Sequence, residues 1–173
     1  FFFKINLIIS SAIFLLGLIF FFKNIDLNFL KYLEKKLIIY PIIVLLLLPM
    51  LVSQKYHEDF GYYHLPYVLA FLENKIVFGF ANIDKSYVYN SIWLNLNSIF
   101  FLKNNNFNFL TLPSFLLLIF FIFFSINKLF KKKEHKSSDY YLIVTLFYLI
   151  IKFTRVSEFG VDLPAIIFSI LSI

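Results

Sequence analysis

Apolar residues in this chain fall in long unbroken runs, and polar residues gather between the runs instead of alternating with them. Four runs read as helices that cross a membrane: residues 5–22, 37–52, 109–126 and 140–153. A fifth starts at Leu163 and continues to residue 173. A crossing helix needs roughly 17–25 mostly apolar residues, so the fourth run has to borrow its flanks. Pro41 and Pro49 fall in the second run, where a membrane helix tolerates proline. As a helix the fifth run measures about 16 Å, against a hydrocarbon core of about 30 Å. Together with a first residue that is Phe1, this leads us to expect a single transmembrane domain truncated at both ends.

Residues 53–108 follow a different rhythm. Leu65, Val68, Leu69 and Leu72 recur at i, i+3, i+4 and i+7, the spacing of one helical face. They predict an amphipathic helix over 65–73 that ends at Asn74 and Lys75. The stretch YVYNSIWLNLNSIFFL, residues 87–102, is apolar but broken by asparagine and serine. It predicts a helix lying along the membrane interface, with Trp93 and the tyrosines in the aromatic belt. The fold class expected is all-α, a polytopic transmembrane helix bundle with amphipathic interfacial helices in one large outer loop.

Composition agrees with that reading. Hydrophobic residues make up 61% of the chain and charged residues 15%; soluble domains hold about 45–50% and about 25%. A net charge of +6 would suggest nucleic acid in a soluble protein. Here the lysines concentrate in residues 23–36 and 128–136, loops that the positive-inside rule places in the cytoplasm, so membrane lipid and no nucleic acid is the expected partner. Residues 53–108 and 152–162 then face outward. Cysteine is absent, which removes disulfides and thiolate sites.

The candidate chemistry lies in those outward segments. Directly after the second run the chain reads SQKYHEDFGYYHLPYVLAF, residues 53–71. Glu58 and Asp59 would sit at the N-terminus of the 65–73 helix, where the helix dipole favours the ionised form. Such a carboxylate either caps the helix, takes a proton from an acceptor hydroxyl, or holds a divalent cation against a phosphate. Tyr62 and Tyr63 follow Asp59 by three and four residues and could orient it. His57 and His64 are seven apart, not four as in HExxH, which separates them by about 10 Å along a helix and argues against one zinc ion.

The second outward segment reads TRVSEFGVDLP, residues 154–164. Arg155 suits a phosphate or a carboxylate equally well, and pairing with Glu158 or snorkelling are its structural alternatives. Asp162 is placed as the N-cap of the next helix. Gly160 permits a sharp bend beside Glu158. No phosphate-cradling glycine loop, GxSxG elbow or Ser/His/Asp arrangement occurs.

A membrane span followed by a large outer loop that opens on an acidic residue resembles the GT-C glycosyltransferases, polytopic enzymes that use polyprenyl-phosphate-linked sugars. HEDFGYYHLP, residues 57–66, matches the first acidic position of that superfamily, with Asp59 its equivalent and Glu58 the neighbour. SEFGVDLP, residues 157–164, matches the second, with Glu158 and Asp162. The run from Asp59 to Trp93 is similar to uncharacterised bacterial GT-C-like membrane proteins, in which a Tyr-His pair precedes a GxxN…NSxW segment, here Gly79–Asn82 and Asn90–Trp93. Residues 5–22 add a span to the usual arrangement, and no DxD triplet is present.

The resemblance implies a multi-pass protein of a bacterial inner membrane that moves a sugar from a polyprenyl-phosphate carrier to an acceptor hydroxyl at the outer face. It implies Asp59 and Glu58 as catalytic residues. Substrate contacts would fall on Tyr63, His64, Asn82, Asn90, Arg155, Glu158 and Asp162, with Arg155 on the lipid phosphate. A divalent cation, Mg or Mn, would be shared by Asp59, Glu158 and Asp162. The alternative is a non-enzymatic polytopic protein, a transporter or lipid-carrier flippase; such proteins place ionisable groups near the bilayer midplane, whereas the acidic groups here stand at the ends of the runs.

Overall fold

The computed structural model describes residues 5–24, 39–52, 57–74, 79, 82, 85, 91–101, 109–131, 136–152 and 157–172. These residues are helical, with no β-strand among them. In chain order the helices are α1 (Leu7–Asn24), α2 (Ile39–Val52), a π-helical turn (Phe60–His64), α3 (Leu65–Glu73), α4 (Ile92–Ile99), α5 (Leu112–Lys131), α6 (Ser137–Ile151) and α7 (Asp162–Leu171). Residues 7–24 and 112–130 are each long and apolar enough to cross a membrane, and α2, α6 and α7 are shorter apolar helices.

Local chemistry sets several of the boundaries. Asn6 starts α1 by accepting the Ile9 N–H on its side chain at 3.0 Å. Ser91 does the same for α4, accepting from Leu94. Helix α5 runs past the expected end at residue 126 because its polar last turn has partners. Asn127 accepts from the Tyr40 hydroxyl of α2 at 2.9 Å, and the Lys128 ammonium lies 3.8 Å from the Asp139 carboxylate of α6. The expected short fourth run does take on flanking residues: α6 begins three residues earlier, where Asp139 accepts the Lys136 N–H at 2.9 Å.

Those same contacts give the helices alternating directions. Tyr40, Asn127, Lys128 and Asp139 gather at one end. Towards the other end Met50, Phe115, Leu149 and Leu163 share one core with Leu118, Phe121, Leu142 and Ile167. Helices α2, α5, α6 and α7 thus pack antiparallel in sequence. With 8 residues, α4 would extend only about 12 Å, so it makes no crossing of its own.

A second core lies over the Met50 end and joins Phe60, Tyr67, Val68, Leu94, Leu110 and Phe159. It takes in Leu65, Val68 and Leu72 of the expected face of α3 and adds two aromatic residues to it. Val68 is fully buried, but Tyr67 is the other buried residue of the helix and Phe71 packs beside them, while Leu69 takes no part. Two aromatic rings and a Ser91 N–H on the Tyr67 hydroxyl hold this seam, which the leucine spacing alone does not reveal. Trp93 is half-buried. Its indole N–H donates to Ser114 at 3.2 Å and its ring meets Phe168, so it ties α4 to α5 and α7.

Asp139 is fully buried, and its two oxygens serve the Lys136 N–H and the Lys128 ammonium. Hydrogen bonds to charged groups contribute about 1.5–3 kcal/mol, so Asp139→Ala is expected to lower stability by about 2 kcal/mol. Unfolding in a graded SDS series measures it, and an unchanged midpoint would remove the pair from the account.

Candidate functional site

The segment after α2 is helical from Glu58, and its third residue begins a π turn. Pro66 supplies the reason. A proline inside a helix has no N–H to give and presses its ring on the carbonyl four residues back. The chain answers with one wide turn, in which the Leu65 N–H reaches the Phe60 carbonyl five residues earlier. This turn carries Tyr63 and His64, and it directs Phe60 and His64 inward while Tyr62 points away. A Cβ at Gly61 would meet open space, so no close approach there depends on glycine.

Neither acidic residue expected to cap a helix does so. Asp59 precedes the π turn, yet its side chain makes no cap hydrogen bond. Its carboxylate oxygen instead stands 3.3 Å from Nδ1 of His57 and accepts the Tyr63 hydroxyl. Nδ1 of His57 also lies 3.4 Å from the Asp59 N–H. A neutral lone pair accepts from that N–H, whereas a protonated nitrogen donates to the carboxylate, so the ring serves one or the other. Asp162 is the first residue of α7, not its N-cap; Val161 holds that position. The Asp162 carboxylate is exposed and directed elsewhere.

It is directed into a cleft of about 380 Å³. Asp59, Tyr63 and His64 form one wall, Glu158 to Leu163 the next, and the end of α6 with Tyr148, Leu149 and Lys152 the third. The two acidic segments, about a hundred residues apart in sequence, therefore meet. Phe60 and His64 hold them together through edge-on contacts with the Phe159 ring, at 5.4 and 5.7 Å between centroids. A bend does fall at Gly160, but its φ is not in the left-handed region; what glycine provides is proximity, since a Cβ there would stand 3.4 Å from the His64 ring.

The remaining expected residues divide. Tyr63, His64, Glu158 and Asp162 line the cleft with Asp59. Glu58 is exposed and does not line it, because one helical step turns its side chain away from that of Asp59. Asn82 is also exposed and apart from the cleft. Its N–H closes a turn on the Gly79 carbonyl at 2.8 Å, and Gly79 itself has a positive φ of 73°, a conformation that favours glycine. The GxxN pattern therefore has a local structural cause. Asn90 and Arg155 lie outside the described residues. Lys152 was not singled out by sequence reasoning; its position at the end of the fourth run, on the same side as residues 157–162, was the available signal.

Among the described residues no three His, Asp or Glu side chains stand close enough to hold one metal ion. The expected shared cation thus has no matching donor set there.

Burial shifts the cleft's titrating groups. It holds the His64 imidazole below its ordinary value of 6.5, although the Asp59 and Asp162 carboxylates and the Phe159 backbone pull the other way. Burial raises the Tyr63 phenol, and the Asp59 and Asp162 carboxylates add to it. Since folded His64 releases its proton more readily than the unfolded chain, the unfolded state takes up protons first as the pH falls. Stability is then lost as the pH drops through about 6.5 towards the folded value. A His64→Gln variant, neutral throughout, is expected to lack this component of the decline in melting temperature. Parallel curves for the two proteins would show that His64 does not carry it.

Among the described residues, the fold and the cleft define an all-helical arrangement with two helices able to cross a membrane and a carboxylate-lined cleft where the π turn after α2 meets residues 158–163 and the end of α6. The whole chain, residues 1–173, matches the family described as "Domain of unknown function (DUF8201)", and it belongs to that family. No curated protein and no solved structure matches it.

Proposed function

We propose that the chain is a GT-C-type glycosyltransferase, a multi-pass protein of a bacterial inner membrane with its cleft on the outer face. The single observation carrying this reading is the meeting of Asp59 with Glu158 and Asp162 in one cleft, the two acidic loop positions that the resemblance requires to cooperate. The antiparallel order of α2, α5, α6 and α7 supports it, since the described residues 57–74 and 157–162 then fall on one side. Apolar side chains exposed along α1, including Leu15, Phe20 and Phe22, suit contact with lipid.

The reaction follows from the wall chemistry. Asp59 takes the proton of an acceptor hydroxyl as that oxygen attacks the anomeric carbon of the sugar. The bond from that carbon to the carrier phosphate breaks, its electron pair leaves with the phosphate, and the configuration inverts. Tyr63 donates to Asp59 and fixes its orientation. Lys152, on the cleft wall, places positive charge near the phosphate.

Purified protein in proteoliposomes, supplied with radiolabelled polyprenyl-phosphate sugars and a membrane extract as acceptor, tests the proposal. Transfer of label from the carrier is the expected result. Retention of every label on its carrier, with the protein folded, would contradict it.

A further inference from the structure

Charge in this molecule is sorted by end. Among the described residues the carboxylates Glu58, Asp59, Glu73, Glu158 and Asp162 all belong to the segments that build the second core and the cleft. The one other, Asp139, stands at the opposite end. It is fully buried there and already serves the Lys128 ammonium and the Lys136 N–H. Its charge balances Lys128 and nothing further out. Yet residues 128–136 read KLFKKKEHK, five lysines against one glutamate. Helix α5 ends on Lys131, and α6 starts after Lys136, whose side chain is exposed. Residues 132–135 lie outside the described residues.

Apolar rings accompany this charge. Phe130 is 78% exposed on the last turn of α5, and Tyr140 is exposed on the first turn of α6. The positive-inside rule explains which way such a loop faces, not what its ammonium groups meet once the chain is in place. Lysines without countercharge at the end of a crossing helix are attracted to the phosphates of anionic lipid in the adjoining leaflet. Rings beside them suit the boundary between headgroup and acyl chain. A soluble polyanion would match the charge but leave Phe130 in water.

We propose that this end of the molecule, where α5 stops and α6 begins, is a docking surface for anionic phospholipid. The Lys136 ammonium meets the headgroup phosphate, and Phe130 lies among the first acyl carbons. The docking surface needs α5 to cross a membrane but does not rest on the transferase reading, and the cleft takes no part in it.

A fluorophore on Ser137→Cys, exposed and next to Lys136, reports on this surface in the full chain, which has no cysteine of its own. The same fluorophore on Glu58→Cys reports on the cleft end. Each protein is placed in phosphatidylcholine nanodiscs that carry a small, equal share of nitroxide-labelled phosphatidylglycerol or nitroxide-labelled phosphatidylcholine. Quenching at position 137 is expected to show phosphatidylglycerol enriched at least about fivefold over phosphatidylcholine, the scale of one lysine at a membrane surface. Position 58 should show no enrichment. The preference should fall in Lys136→Gln, fall further when Lys131→Gln is added, and weaken with salt. Lys128 is left in place in these variants, so Asp139 keeps its partner. Equal quenching by the two lipids at position 137, the same preference at position 58, or a preference unchanged in the double variant would overturn the proposal. Its loss to millimolar inorganic phosphate at constant ionic strength would assign the lysines to a soluble anion and overturn it too. Quenching by neither lipid at either position would refute the membrane crossing, and the docking surface with it, whereas absent sugar transfer would sink the transferase and leave this surface standing.

Discussion

Replacing Asp59 by asparagine is expected to lower sugar transfer by at least about a hundredfold, the usual scale for loss of a general base. The amide keeps the shape of the side chain and can still accept the Tyr63 hydroxyl, so the cleft wall should persist. What disappears is the negative charge and the capacity to take a proton. The reacting hydroxyl then has only water to receive its proton at the moment of attack. Glu73→Gln is the control, an exposed carboxylate at the end of α3 that does not line the cleft; its rate is expected to match wild type. Both variants should reach the membrane in equal amount. An Asp59→Asn protein of full activity would remove this residue from the chemistry.

The largest expected effect on stability comes from Phe121→Ala. Phe121 is fully buried in α5, within the core shared by α2, α6 and α7, and the next turn adds a Ser125 hydroxyl bonded back to its carbonyl at 2.8 Å. Truncation to alanine leaves a void that helices fixed on all sides cannot close, at about 3–5 kcal/mol. Phe130 in the same helix is 78% exposed, and its alanine variant should change stability by less than about 0.5 kcal/mol. Comparing the two in one SDS unfolding series cancels the contribution of composition. Similar midpoints would mean that the α5 core is not what holds these helices together.

Much of the helix layout is readable in the sequence, because apolar run length is a local property. The runs at 37–52 and 163–173 have helices within two residues of their expected starts, and α3 occupies residues 65–73 with Asn74 as its cap, as its turn signals predict. What depends on partners is not readable. The extension of α5 to Lys131 needs Tyr40 and Asp139, which lie far away in sequence. The π turn needs the conflict between Pro66 and the preceding carbonyls, which no periodicity expresses.

The site divides along the same line. An acidic residue beside a helix start raises two possibilities, capping or chemistry, and sequence cannot choose between them. For Asp59 and Asp162 the geometry turns both side chains from capping towards the cleft. Asn82 went the other way, since a turn on Gly79 accounts for its spacing. Lys152 and Tyr148 escaped notice because the end of a span is where such residues stand by default.

The claim on which the account depends most is that the cleft opens on the non-cytosolic side. The chain has no cysteine, so single cysteines report position without background. Glu58→Cys places one at the cleft end, on an exposed residue outside the lining, and Ser137→Cys places one at the opposite end, also exposed. In intact cells a membrane-impermeant maleimide is expected to label position 58 at once and position 137 only after permeabilisation. Labelling of position 137 in intact cells, with position 58 protected until the membrane is opened, would contradict the account.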